Sequence, residues 1–313
     1  MPVVSVLMTA YNRQDFIADA IQSALAQTFT DWELIIVDDC SHDRTVEIAK
    51  GYAAQDARIH VHVNERNLGD YPNRNHAATL ADGQFIKYHD SDDLMYPHCL
   101  AVMVPLLTAY PQASFALHPG AREWSGGPCP MLLTPRLCYQ REYLGMGMFD
   151  VGPACALFRT EFFRRVGGFP EVGPHSDHAF FLKVCATETV LLTPGNLFWY
   201  RIHAGQHLQT PGAAMDRVTA ARQSWAALKA VECPLEPAQV ELAKRNVAWH
   251  MGRTMIRHLC AGEFKYAVAY WRGGGLTLRD WLRYFRRQRR DNFAGTPRNG
   301  SGQFLMPDWS VYK

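Results

Sequence analysis

Four apolar, β-branched runs occupy the first part of the chain: Val3–Met8, Trp32–Val37, Arg58–Val63 and Phe85–His89. Between them, apolar residues recur at helical spacing. Phe16, Ile17, Ala20, Ile21, Ala24 and Leu25 form the first such stretch. Val46, Ile48 and Ala49 form the second, with Ser41 or Asp43 available as a cap, and a third runs from about Pro72 to Leu80. Strands that alternate with helices of about a dozen residues admit few folds. The pattern predicts an α/β protein whose parallel, right-handed βαβ sheet is covered by helices on both faces.

In such a sheet, ligands bind at the carboxyl ends of the strands. Three polar clusters fall there: Thr9-Ala10-Tyr11-Asn12, Asp38-Asp39 and Asp90-Ser91-Asp92-Asp93. The last places three carboxylates within four positions, where they repel one another and resist desolvation unless a cation sits among them. Hard oxygen ligands on a short loop suit Mg²⁺ or Mn²⁺ better than zinc. The first strand is not followed by G-x-G-x-x-G, and no G-x-x-x-x-G-K-[ST] occurs, so a glycine-rich phosphate cradle is excluded. The loop is expected to hold a metal-bound diphosphate through side chains.

The bulk properties narrow the class. The 313 residues carry a formal charge of +2, which gives no global attraction to nucleic acid, and none is expected as a partner. Eight scattered cysteines without a C-x-x-C pair read as reduced thiols of a cytoplasmic protein. The apolar N-terminus is too short and uncharged for a signal peptide, and no run approaches the roughly 20 apolar residues that span a bilayer. The chain is expected to be soluble, or to lie on a membrane from one side.

Val4 to Asn12, Ala26-Gln27-Thr28-Phe29, Glu33 to Ser41, Asn67-Leu68-Gly69, Arg74-Asn75, Gly83-Gln84-Phe85-Ile86 and Asp90 to Asp93 occur in this order. Together they resemble the family 2 glycosyltransferases of GT-A fold, in the nucleotide-diphospho-sugar transferase superfamily. The likeness is dense over roughly the first 110 residues and weaker to about residue 205. It implies that Thr9, Ala10, Tyr11 and Asn12 line a nucleobase pocket, with Asp39 accepting a hydrogen bond from a base N–H, as for uracil. Arg74 would approach the diphosphate or remain a helix-surface residue. Asp90 and Ser91 would belong to the substrate-binding loop, Asp90 touching the ribose or the metal, and Asp92 would be the principal ligand of Mn²⁺ or Mg²⁺. Asp93 could simply cap a helix starting near Pro97.

Further on, Gly167-Gly168-Phe169 and the segment from His175 to Lys183 look like the family's G-G-F turn and the helix bearing its catalytic base. The usual Glu-Asp pair is Ser176-Asp177 here, which keeps the second position, the expected base. On residues alone, Asp177 reads as a helix N-cap; the base role is what the resemblance implies. Tyr200-Arg201-Ile202-His203 is similar to the family's Y-R-x-H segment, so His203 would complete the metal shell or touch the diphosphate.

A helix is expected over 97–110 and a strand over 114–117. Residues 119–152 lose periodicity while keeping apolar residues, which suggests an acceptor-side loop. Helices are expected over 212–231, 236–261 and 263–271. A basic amphipathic helix over 278–290, with Trp281, Leu282 and Phe285 among arginines, suits an anionic membrane surface, a solvated face or an oligomer contact. The expected organisation is a GT-A domain over 1–210, a helical extension over 211–291 and a tail over 292–313. Within the domain, 1–110 forms the nucleotide-sugar half and 111–210 the acceptor-side half. The resemblance implies a metal-dependent inverting transferase that moves a sugar from a nucleotide-diphosphate donor, UDP favoured, to a glycan or lipid-linked glycan in surface-polysaccharide synthesis. The competing readings are a non-catalytic binding protein of the same fold and a sugar-phosphate nucleotidyltransferase. The latter needs a glycine-rich basic loop where this chain has Thr9 to Asn12.

Overall fold

The computed structural model describes residues 1–118, 129–145, 147–203 and 213–284. The chain begins with the expected alternation: β1 (Val4–Ala10), α1 (Ile17–Leu25), β2 (Trp32–Asp38), α2 (Thr45–Ala53), β3 (Ile59–Val63), α3 (Asp70–Thr79) and β4 (Phe85–Tyr88). There follow β5 (Leu94–Met95), α4 (Cys99–Ala109), β6 (Phe115–Leu117), β7 (Met131–Leu133), α5 (Pro135–Leu144), β8 (Ala156–Arg159), α6 (Thr160–Arg165), α7 (Ser176–Val184), β9 (Val190–Leu192) and β10 (Phe198–Trp199). Four helices close the described chain: α8 (Ala213–Ala227), α9 (Pro237–Cys260), α10 (Phe264–Gly273) and α11 (Leu278–Tyr284).

The main sheet has the order β3-β2-β1-β4-β8-β6-β9-β7. The strands β1 to β4 are mutually parallel where they pair, as is β6 with β9, whereas β8 and β7 run antiparallel to their neighbours. The first half therefore obeys the βαβ rule, and the reversal at β8 marks where the second half is joined. A separate antiparallel pair, β10 with β5, folds the Y-R-x-H segment back over the aspartate loop.

Both faces of the sheet are buried, with the two-residue period of a strand dividing the side chains. Leu7, Ile35, Val37, Ile86 and Tyr88 face a core completed by Phe158, Phe163, Phe169 and Phe180. Val6, Met8, Leu34, Ile36 and Phe85 face the opposite one, which includes α1 and α4. A third, smaller core joins α8, α9, α10 and α11 around Val218, Trp225, Met251, Tyr270 and Trp281.

Two expectations need correction. Residues 119–152 are not a structureless loop throughout, since β7 and α5 lie within them. The helix α5 escaped notice because it has no clean apolar stripe: Cys138, Tyr139 and Tyr143 are buried, yet polar residues interrupt them. Trp124 and Met146 of that stretch lie outside the described residues. Asp93 does not cap α4 either; its Oδ1 accepts the Arg201 backbone N–H at 3.0 Å. The cysteines are all free, with Cys99, Cys138, Cys155 and Cys185 buried and Cys260 exposed. No helix among the described residues is long and apolar enough to cross a membrane. The basic segment 278–290 is helical over 278–284, and 285–290 lie outside the described residues, as does the tail.

Candidate active site

Because β1, β2 and β4 are adjacent and parallel, the three polar clusters emerge at one edge of the sheet. Local contacts lock them together. The Asp39 N–H donates to the Ala10 carbonyl, the Asn12 N–H to Ser41 Oγ, and Ser91 Oγ–H to the Thr9 carbonyl. Asn12 adopts a positive φ of 52°, and its Oδ1 accepts the His42 N–H at 2.9 Å. Asp38 takes two hydrogen bonds from Ser41, and Tyr11 remains exposed at the rim.

Asp39 is buried and accepts three hydrogen bonds from the chain. It accepts from Asn64 Nδ2 and the Leu68 N–H at 2.8 Å each, and from the Gly69 N–H at 2.9 Å. This explains Asn67-Leu68-Gly69 physically: the turn offers its backbone donors to one carboxylate, and Gly69 at φ 90° supplies the conformation that L residues avoid. Asp39 thus positions the loop leading into α3.

That helix carries Arg74, which is buried and not a helix-surface residue. Its Nε lies 2.7 Å from Asp70 Oδ1 and its Nη2 2.7 Å from Asp90 Oδ1. Burial alone would raise the Asp90 carboxyl, but the Arg74 guanidinium outweighs it and holds Asp90 below the ordinary carboxylate value. Among the described residues, Arg74 Nη1 is buried without a hydrogen-bond partner. A buried, unsatisfied cationic donor is costly unless something anionic arrives to receive it.

The other half of the aspartate loop faces the Y-R-x-H segment. Asp92 Oδ2 lies 3.0 Å from Arg13 Nε and 3.1 Å from His203 Nε2. Arg201 donates through Nε to the Asp92 carbonyl and through Nη2 to Asp19, and the His203 ring packs on Phe16 at 4.4 Å. Asp93 is buried, and that burial, aided by Asp90, pushes its carboxyl up to about 8. The structure therefore brings Asp92 and His203 together and leaves Asp90 on the Arg74 side. Among the described residues no three His, Cys, Asp or Glu side chains are grouped as a metal set. An oxygen and an imidazole nitrogen fit a hard divalent ion that keeps water and takes phosphate oxygens as its remaining ligands.

Asp177 occupies the first turn of α7, whose Phe180, Phe181 and Val184 are buried. Its Oδ1 accepts the His178 N–H at 2.7 Å, and the nearby Tyr71 hydroxyl favours the charged form of its carboxylate. Burial raises the Asp177 carboxyl above its ordinary value. Alongside lies a cavity of about 410 Å³, lined by Gly69, Asp70, Tyr71, Glu171, Gly173 and Ser176. Asp70 is on that lining and also on Arg74, so a single guanidinium links the cavity to the aspartate loop.

A family model for glycosyl transferase family 2 matches residues 5–167, which is 163 of the 313 residues and just over half of the chain. The chain belongs to this family. Among its relatives, the putative teichuronic acid biosynthesis glycosyltransferase TuaG of Bacillus subtilis is 46% identical over 92 residues. That match covers 29% of this chain and 36% of TuaG, so the chain covers only about a third of that relative's length. Likeness of fold extends further than these sequence matches. The S. aureus TarS fragment 1–349 in complex with UDP-GlcNAc superposes with a TM-score of 0.61 at 21% identity, covering 89% of this chain and 78% of that one. The mannosyltransferase PcManGT from Pyrobaculum calidifontis in complex with GDP-Man and Mn²⁺ gives 0.58 at 18% identity, covering 87% of both chains. These two likenesses establish the shared fold.

Several site residues carried too weak a signal in the sequence. Arg13, Asp70 and Tyr71 stand outside the three polar clusters, Asn64 opens the polar run that follows β3, and only their partners give them meaning. Lys87 is hidden inside a strand, buried beneath the loop, where it donates to the Ala154 and Tyr88 carbonyls. An ammonium within an apolar run was the one available clue.

Proposed function

We propose that this protein is a metal-dependent inverting glycosyltransferase that takes a sugar from a nucleotide-diphosphate donor, UDP-sugars favoured. The observation that carries the reading is the buried Arg74, which joins the Asp90 loop to the cavity beside Asp177 and keeps one donor unspent. Thr9, Ala10, Tyr11 and Asn12 line the base pocket, Asp39 shapes it, and Asp90 and Ser91 face the ribose and diphosphate. Asp92 and His203 would hold Mn²⁺ or Mg²⁺, with Asp90 on the Arg74 side of the same loop. When bound, the ion offsets the negative charge that grows on the departing diphosphate.

The protein's own groups supply the rest. Arg74 directs its free N–H toward the diphosphate, and Tyr71 orients the Asp177 carboxylate. Asp177 removes the proton of the acceptor hydroxyl as that oxygen attacks the anomeric carbon in line. Its raised basicity suits it to the task, because a weakly basic carboxylate takes a hydroxyl proton poorly. The acceptor is a glycan or lipid-linked glycan, a reading supported by relatives such as TuaG that are named for polysaccharide biosynthesis. Residues 1–210 form the catalytic unit, acting on the cytoplasmic side of the cell membrane, and 211–291 a helical extension.

The test is a screen of UDP-, GDP- and dTDP-sugars by thermal shift, each with and without Mn²⁺, combined with detection of released nucleoside diphosphate. A UDP-sugar that raises the melting temperature only with Mn²⁺ supports the proposal. No stabilisation by any nucleotide sugar in the presence of Mn²⁺ rejects it.

A further inference from the structure

The helix α10 is amphipathic in an unusual sense: its apolar side chains continue from its buried face onto its exposed surface. Ala267 and Tyr270 are buried, and Tyr270 belongs to the third core that joins α8 to α11. The adjoining stripe, at i, i+4 and i+7, is Phe264, Val268 and Trp271, exposed by 65%, 49% and 43%. An ordinary solvent-facing stripe is polar; a helix whose apolar face continues past its buried residues expects a second apolar neighbour. Trp271 stacks on Trp281 at 5.6 Å, which joins the stripe to α11, and the outward positions there are Leu278 and Leu282, exposed by 62% and 69%.

The polar residues of this surface identify the neighbour. Lys265 and Arg272 flank the stripe on α10, and Arg279 lies next to Leu278; all three are exposed. Among the described residues none of the three forms an ion pair. The acids close by are already engaged: Asp280 accepts from Thr277, and Glu241 pairs with Arg283. A second copy of the chain is disfavoured, because a twofold contact over this face would set its uncompensated cations against the same cations. A layer with an apolar interior and an anionic surface satisfies both halves of the pattern.

We propose that the outer face of α10 and α11 is a docking surface for an anionic lipid bilayer, with Phe264, Val268, Trp271, Leu278 and Leu282 entering the headgroup boundary and Lys265, Arg272 and Arg279 meeting lipid phosphates. The structure thereby moves the membrane contact away from a basic helix over 278–290 alone, to a face shared by two helices. It does not depend on the transferase reading, since binding is measured without any nucleotide sugar.

The experiment is co-sedimentation of the full chain with vesicles of phosphatidylcholine alone or containing about 30 mol% phosphatidylglycerol. Binding is expected to the anionic vesicles only. The variant Phe264→Ser/Val268→Ser, which leaves the Trp271–Trp281 stack intact, should bind at least about tenfold more weakly with an unchanged circular dichroism spectrum. Arg272→Gln should lose about fivefold, and the loss should shrink at high salt. Absence of binding to anionic vesicles overturns the proposal. So does binding undiminished in the serine variant, which would assign it to the arginine run Arg286-Arg287-Gln288-Arg289-Arg290. A stable dimer in solution that the same variant dissociates would give the face to a second copy instead.

Discussion

Asn75 is the clamp between the two halves of the catalytic unit, and its removal has a calculable effect. Its Oδ1 accepts the Phe169 N–H and its Nδ2 donates to the Phe169 carbonyl, both at 2.9 Å and across 94 positions of sequence. The pair imitates a strand contact, pinning the turn before α7 to α3. Asn75→Ala removes two hydrogen bonds, worth about 1 kcal/mol each, and leaves two partly buried backbone groups wanting partners. The expected loss is about 2–4 kcal/mol. Gly168 allows a sharper test, because a Cβ there would sit 2.5 Å from Asn75 Oδ1, and its φ is +69°. Gly168→Ala alone should therefore lose both the clamp and about 1 kcal/mol of backbone strain. In the Asn75→Ala background the collision is gone and only the strain remains. Urea unfolding of the two single variants and the double, read by circular dichroism, should give a coupling energy of about 2 kcal/mol or more. Additivity within about 0.5 kcal/mol would refute the clamp.

Four further substitutions have expected outcomes. Asp177→Asn should lower turnover by about 10²–10⁴ with donor affinity nearly unchanged, and near-normal turnover would remove Asp177 as the base. Because burial raises the Asp177 carboxyl, the acid limb of the pH–rate profile should lie above the ordinary carboxylate range. The same shift means this group favours folding when protonated, a contribution lost as pH rises through the raised value; Asp177→Asn should flatten that part of the stability–pH curve. The Tyr71 hydroxyl stabilises the charged carboxylate, so Tyr71→Phe should move the acid limb to still higher pH, and an unmoved limb would reduce Tyr71 to packing. Asp92→Ala should abolish the Mn²⁺-dependent part of nucleotide binding, measured by calorimetry with and without the ion. Gly83→Ala should destabilise by several kcal/mol, on the order of an overpacked core or more, since its Cβ would lie 2.5 Å from the Ser5 backbone nitrogen, which cannot yield; a melting temperature within error of the parent would contradict this.

The parallel half of the fold was readable in the sequence because its information is local. A buried strand needs a short β-branched run, a covering helix needs a periodic stripe, and both occur within a dozen residues. The positions of Thr9 to Asn12, Asp38-Asp39 and Asp90 to Asp93 at one edge follow from that alternation alone. What tertiary structure decided is which residue meets which. His203 reaches Asp92 across 111 positions, Arg201 reaches Asp93 across 108, and Tyr71 meets Asp177 from another helix. Nothing in a local window records such pairings, because a hydrogen bond depends on where two elements pack and not on how either repeats. The same reason hid α5, buried by neighbours without a stripe of its own, and reassigned Asp93 from a helix cap to an anchor for Arg201. The sequence determined the frame and named the carboxylates; packing divided them, giving Asp39 to the Leu68-Gly69 turn, Asp90 to Arg74 and Asp92 to His203.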